Sequence, residues 1–473
     1  MLFNSFEFIF LFLPITLILY FLLNHYGKYK LAKGWLIVAS LYFYAYFNYS
    51  YLILIITSIL ANYFLGDLLH SNKRSELQRK GILGIGIIFN LGALGYFKYF
   101  DFFVENINII FKTNIELLKL MLPLGISFFT FQQLSFVVDS YKKKSLKYDF
   151  LSYCLFVTFF PQLIAGPIVF PTEMLPQFED KKNKVVNYEN LNRGLYLFSI
   201  GLAKKVLIAD SIAPFADTGF DKMASLTFME AWLTSISYTM QLYFDFSGYC
   251  DMAMGIALMF NIVLPLNFNS PYKSINIQDF WKKWHITLGR FLTSYLYIPL
   301  GGNRNGEIKT LRNLLVVFLA SGIWHGAGWN FIIWGGLHGT SILIHRLWKK
   351  IGLRMPKIVG WGITMFLINI FWIFFRATSV DRAIKVIKGM LDLKSFEKFL
   401  TLPYRELTNS YLGNKLSLAF LFIGILLALF SKNSIIKNKN VRFNISYFFE
   451  QIIYLGCSML LINRVATFLY FNF

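Results

Sequence analysis

The sequence predicts an all-α, polytopic membrane protein, and three observations carry that prediction. Of the 473 residues, 56% are hydrophobic and only 15% are charged, where soluble domains carry about a quarter charged residues; the mean hydropathy is +0.52. Apolar runs of the roughly 20 residues needed to cross a bilayer recur from end to end. Lys and Arg gather in short clusters between those runs: Lys28–Lys33, Lys73–Lys80, Lys142–Lys147, Lys181–Lys184, Lys349–Lys357 and Lys432–Arg442. This is the positive-inside layout of cytoplasmic loops. It accounts for the formal net charge of +21 and leaves no role for nucleic acid as a partner.

The elements follow in order. Leu2–Leu23 is apolar, with Glu7 as its only early charge and no basic region before it. It reads as a retained first span rather than a cleaved signal, with the amino terminus outside. Gly34–Phe47 and Tyr51–Leu69 form a pair of spans, and Gly81–Phe100 crosses outward. The string GILGIG within it has no strand before it, so it is no phosphate loop; small residues there suit close helix packing. Asp101–Lys119 is expected as an outer loop or interfacial helix, and Leu120–Val138 returns. Leu151–Phe170 contains Pro161, Gly166 and Pro167. Proline removes a helical hydrogen bond, and broken backbone at membrane depth is tolerated only inside protein or along a cavity. A broken or re-entrant segment is therefore expected there.

Leu191–Ala213 spans next, and Asp217, Asp221 and Glu230 mark an acidic outer loop. Ala231–Phe246 and Met252–Val263 read as two apolar segments around a turn, DFSGYCD, in which Asp245 and Asp251 are either cap residues or site residues. Leu264–Tyr272 is a polar loop. Asn276 with Asp279 is a capping-box-like start to an amphipathic helix. Its face comprises Ile277, Phe280, Trp281, Trp284 and Leu288, and its tryptophans are expected at headgroup depth on the inner surface. In that helix His285 falls at the edge of the apolar stripe beside Trp281. Asn313–Ile323, Asn330–Leu347, Val359–Phe375, Leu416–Phe430 and Phe449–Phe473 complete the helices, with a polar excursion over Arg376–Arg405. The total is about eleven to thirteen spanning or re-entrant helices by the ~20-residue criterion. They form a single membrane-embedded domain over residues 1–473, with its core motifs in 150–348.

Candidate chemistry rests on histidine. No phosphate loop, GxSxG elbow or metal-ligand spacing exists, and Cys154, Cys250 and Cys457 all lie in apolar runs without a CxxC motif, which argues against disulfide or zinc scaffolding. Residues 276–339 hold three of the six histidines. His325 stands in a glycine-broken stretch between Trp324 and Trp329, where an ionisable side chain is costly and defaults to a functional role. An imidazole there suits general acid–base work near neutral pH. The alternative is a buried neutral ring bonded to a carbonyl. His285 is a second candidate, with simple interfacial solvation of its tip as its alternative. His338 is placed on the far side of the helix from His325 if that helix is continuous. Lys282, Lys283, Arg290, Arg304 and Arg312 would suit a phosphorylated ligand arriving from the cytosol; their alternative reading is the positive-inside rule.

At FFPQLIAGPI (Phe159–Ile168), MQLYFDFSGYCDMAMGIALMF (Met240–Phe260), FWKKWHITLGRFLTSYLYIPLGGNRNG (Phe280–Gly306) and RNLLVVFLASGIWHGAGWNFIIWGGLHG (Arg312–Gly339) the chain resembles the membrane-bound O-acyltransferase (MBOAT) family. The likeness is greatest to the bacterial branch that O-acetylates alginate and peptidoglycan, with the teichoic-acid D-alanylation transporter as a cousin. Thr293 and Ser294 stand where that branch often has Arg-Asp, and Phe170 stands where it often has a basic residue. The resemblance implies a ring of helices around a thinned centre, where a cytosolic funnel meets an outer opening at the essential histidine. That histidine is His325, and His285 is the second motif histidine.

The implied activity is transfer of an acetyl group from cytosolic acetyl-CoA across the bacterial inner membrane. No resident cofactor or metal is implied. The receiver would be a separate, esterase-like periplasmic O-acetyltransferase that modifies an envelope polysaccharide. Membrane lipid surrounds a multi-pass protein of this kind. Two alternatives remain: a lipid- or protein-modifying acyltransferase using a longer chain, and a transporter or flippase.

Overall fold

A computed structural model describes residues 1–71, 73–143, 148–401, 414–439, 445–462 and 468–469. Among these, every regular element is a helix. Four helices are long and apolar enough to cross a membrane: Phe8–His25, Tyr51–His70, Glu76–Phe111 and Lys357–Arg376; Lys415–Phe430 and Ile445–Leu461 are shorter and apolar. Several other predicted spans fold as helices that are shorter or carry polar cargo. Ile126–Tyr141 is 16 residues long and buries Ser127, Thr130, Gln132, Gln133 and Asp139. Parts of four predictions lie outside the described residues: the clusters Lys142–Lys147 and Lys432–Arg442, the end of the Arg376–Arg405 excursion, and most of the last predicted span beyond Leu461.

The described residues divide into two compact units, Met1–Ser199 with Tyr249–Pro265, and Ile200–Gly248 with Leu266–Phe473. In the first, the helix Glu76–Phe111 runs into the predicted outer loop Asp101–Lys119 and stops within it, where Lys112 turns left-handed. Asp101 then holds the chain that follows, its carboxylate accepting from the backbone N–H of Leu118 at 2.8 Å and of Lys119 at 2.9 Å. Buried amides join three helices: Asn62 donates to Asn90 at 3.2 Å and to Gln133 at 2.7 Å, and Gln133 donates to Ser58 at 3.0 Å. Mutually satisfied amides of this kind hold helices together where lipid offers no partner.

The predicted break is present. Helix Phe150–Thr158 ends at Phe159 (φ −49°, ψ 105°), and a four-residue helix, Phe160–Leu163, carries Pro161. The freed backbone is satisfied locally: the Gln162 side chain donates to the Phe156 carbonyl at 2.8 Å, and Ser40 accepts from the Phe160 N–H at 3.2 Å. Residues 152–169 are buried throughout, as irregular backbone in a membrane protein must be unless it lines a water-filled cavity.

One predicted turn is absent. The turn expected at DFSGYCD does not exist; a single 32-residue helix, Phe228–Met259, runs through it. Gly248 serves close packing instead, because a Cβ there would lie 2.7 Å from the Gly201 carbonyl oxygen. Asp245 and Asp251 are therefore not turn caps. Asp245 is buried and ion-paired with Lys205 at 2.6 Å; Lys205 also holds Asp210 at 2.7 Å. The N–H of Leu469 donates to the other Asp245 oxygen at 3.0 Å.

Candidate functional site

The site grows from an antiparallel pair of helices, Glu307–His325 and Trp329–Ile351. Glycine lets them touch: a Cβ on Gly335 would sit 2.5 Å from the Phe318 carbonyl oxygen and 3.3 Å from the Gly322 Cα. The segment Gly326–Gly328 between them is extended at both ends. It resets the helical phase, so a residue's side after the break does not follow from its side before it. Asn330 fastens the start of the second helix to the end of Lys357–Arg376, donating to the carbonyls of Phe374 at 3.2 Å and Ala377 at 2.7 Å.

His325 ends the first helix, 3% exposed. Its Nδ1 lies 2.6 Å from the Ser321 carbonyl oxygen. A carbonyl can only accept, so Nδ1 carries the proton and the lone pair of the neutral ring is on Nε2. Trp324, Trp334 and Phe375 surround the ring, with centroids at 4.8, 5.0 and 5.2 Å.

His285 is held differently from the sequence expectation. The amphipathic helix is not continuous: Ile277–Trp281 ends early, His285 takes a left-handed conformation (φ 46°, ψ 51°), and Ile286–Leu292 begins after it. The predicted start is present, with the Asn276 side chain accepting from the Asp279 N–H at 2.8 Å. Trp284 faces protein rather than lipid headgroups; it is 2% exposed and packs on Trp372 at 4.9 Å. A left-handed residue other than glycine is strained by roughly 1–2 kcal/mol, and such strain gathers at functional sites.

What holds the strain is Asn267, in the stretch expected only as a polar loop. It is fully buried. Its side-chain oxygen accepts from the Thr287 N–H at 3.2 Å, the Thr287 hydroxyl at 2.9 Å and His285 Nδ1 at 3.1 Å. The Thr287 N–H can only donate, which fixes that atom as oxygen and makes His285 the second Nδ1–H ring. The backbone carbonyl of Asn267 also accepts from the Ile286 N–H at 3.0 Å. The polar loop with two asparagines in an apolar stretch was the available signal.

The structure thus brings together the two predicted histidines. Their ring centroids lie 6.3 Å apart at 74°, with Phe246 and Trp324 completing the wall around His285 at 4.9 and 6.0 Å. Both rings are anchored through Nδ1, so both neutral tautomers place their basic lone pair on Nε2. Such a pair can take a proton from a hydroxyl and return it to a leaving group.

His338 was expected to point away, and it does not. It is fully buried and packs 4.8 Å from Trp334, the same indole that packs on His325. Its tautomer is the reverse of the other two, because Trp281 Nε1–H donates to its Nδ1 at 3.1 Å. The basic set is less uniform than predicted. Lys283 is paired with Asp279 at 2.8 Å, and Arg312 reaches Asn313 at 3.0 Å. Lys282 and Arg304 are exposed, and Arg290 is half-buried. Asn313 also donates to the carbonyls of Leu300 and Gly302 at 3.1 and 3.0 Å, fixing the glycine turn that carries Arg304. Among the described residues no group of three or more His, Cys, Asp or Glu side chains is arranged to hold a metal.

A sequence profile of the membrane-bound O-acyltransferase family matches residues 6–379. A peptidoglycan O-acetyltransferase of Helicobacter pylori is 52% identical over 423 residues, covering 83% of this chain and 80% of its own length. A protein named "Probable alginate O-acetylase" from Azotobacter vinelandii is 38% identical, covering 83% and 78%. A teichoic acid D-alanyltransferase of Bacillus subtilis is 28% identical over 238 residues, 48% of this chain and 60% of its own.

Proposed function

Since the chain belongs to the membrane-bound O-acyltransferase family and is an acyltransferase, we propose that it moves an acetyl group from cytosolic acetyl-CoA to a cell-envelope polysaccharide, with His325 as the general base. The observation that carries this reading is the Nδ1–H tautomer of His325, set by the Ser321 carbonyl. It leaves Nε2 as the basic atom in a ring walled by aromatic side chains. Peptidoglycan or an alginate-like exopolysaccharide is the acceptor class, supported by what the similar proteins are named for.

The acceptor hydroxyl gives its proton to Nε2 of His325 while its oxygen bonds to the thioester carbon. The tetrahedral intermediate collapses, the C–S bond breaks, and the thiolate takes the proton back. No net charge accumulates, and no metal or redox partner enters. His285, held by Asn267, orients the thioester or supports the proton path. Lys282, Lys283, Arg290, Arg304 and Arg312 supply the cationic approach for the CoA phosphates, with Lys282, Arg304 and Arg312 exposed. Lys283 contributes less, being committed to Asp279.

The whole chain acts as a single acyl-transfer domain in the bacterial inner membrane. The acetyl group passes to an esterase-like periplasmic transferase, which places it on the glycan. The test is replacement of the genomic copy by His325→Ala, followed by measurement of base-releasable acetate in the isolated envelope. The expected result is wild-type protein level with acetate reduced to that of a deletion. Wild-type acetate in that strain would remove His325 from the chemistry.

A further inference from the structure

His325 and His285 carry the proposed proton transfers and His338 has no part in them, although it is fully buried in the same aromatic cage. Its surroundings are Trp281, Trp334 and Phe371 with centroids at 4.8 Å each, and Trp372 at 6.0 Å. The Trp281 indole N–H can only donate, so Nδ1 of His338 is an acceptor and the proton of the neutral ring is on Nε2. That Nε2–H has no acceptor among the described residues. Trp334, one turn earlier on the same helix and 5.0 Å from His325, likewise has a buried Nε1–H with no acceptor among them.

Buried donors without acceptors are rare in native structures and call for an explanation. Two of them stand i, i+4 on one helix face, and the indole of one packs against the proposed base. We infer that His338 Nε2–H, assisted by Trp334 Nε1–H, is the hydrogen-bond donor to the carbonyl oxygen of the acyl thioester, with Trp281 as the positioning residue that fixes the His338 tautomer. This rests on the reading of His325 as base. When the acceptor oxygen bonds to the thioester carbon, the carbonyl π electrons move onto oxygen, and the fixed N–H groups receive that charge. They release it when the C=O re-forms and the C–S bond breaks. Fixed donors aimed at developing charge in a water-excluded site stabilise a transition state more than the ground state.

Asparagine and glutamine separate this role from simple packing, because Asn reaches the position of Nδ1 and Gln that of Nε2. His338→Asn keeps an acceptor for Trp281 and loses the donor, while His338→Gln keeps the donor. The full-length protein in lipid nanodiscs is assayed with acetyl-CoA, with thermal unfolding as the control. His338→Asn is expected to lower kcat about 100-fold, the effect of losing one such donor, with KM and unfolding temperature near wild type. His338→Gln is expected to recover at least about tenfold of that loss.

A His338→Asn variant as fast as wild type, or a Gln variant no faster than Asn, overturns the inference. If both variants misfold, the unmodified protein decides: the infrared stretch of ¹³C-carbonyl acetyl-CoA should move to lower wavenumber on binding, and an unmoved band overturns the inference. His325→Ala, run in parallel, separates the two failures. If it is inactive while His338→Asn is fully active, only this inference falls. If it is active, the reading of His325 falls.

Discussion

Asn267→Ala tests how the site is built. The native side-chain oxygen accepts three hydrogen bonds within 3.2 Å, two from Thr287 and one from His285, in a residue with no exposed surface. At about 1 kcal/mol net for each bond, removing the acceptor destabilises the protein by roughly 3 kcal/mol. The true figure moves with coupling, since the three bonds share one atom. Thr287→Val gives an internal scale. It removes one of the three and leaves the other donors paired, for a loss of about 1 kcal/mol.

Both variants and wild type are unfolded thermally in the same detergent, and acetyl transfer is measured in parallel. The expected order of stability is wild type, Thr287→Val, Asn267→Ala. Transfer should fall more steeply than stability at Asn267, because His285 loses both its ring anchor and the clamp on its left-handed backbone. Equal stability of Asn267→Ala and Thr287→Val, or full activity in Asn267→Ala, would refute the assignment of Asn267 as the clamp.

Two further outcomes follow from the packing. Lys205→Met strands Asp210 and Asp245 in the interior, a change that costs about 3–5 kcal/mol for a buried pair losing one partner. It should abolish monodisperse protein on size-exclusion chromatography, and Lys205→Met with both aspartates changed to Asn should restore it. Gly335→Ala forces a Cβ to within 2.5 Å of the Phe318 carbonyl. Overpacking of that kind costs about 1–3 kcal/mol, seen as a lower unfolding temperature, whereas Gly362→Ala, with open space around the position, should be near neutral.

Much of the fold was legible because the bilayer enforces it. Span length, loop charge and the broken Leu151–Phe170 segment are all local signals, and the proline at 161 marks the break directly. The WHG stretch pointed to His325 for the same reason: an imidazole in apolar sequence is conspicuous. What the sequence hid depended on partners far along the chain. DFSGYCD looks like a turn until Asp245 is seen against Lys205, 40 residues away, and Gly248 against the backbone of Gly201. The kink at His285 is made by Asn267, 18 residues upstream, so helical periodicity alone carried the helix straight through it. His338 was misplaced because the extended Gly326–Gly328 link breaks the phase count between it and His325.

The decisive measurement is a single turnover. Purified protein in nanodiscs receives acetyl-CoA labelled in the acetyl group, together with the esterase-like periplasmic transferase, and ester formed on that transferase is counted within the first catalytic cycle. The prediction is stoichiometric, base-labile ester from wild type and none above background from His325→Ala, with the variant still binding acetyl-CoA. Ester formed at the wild-type rate by that variant would contradict the assignment of this imidazole as the base.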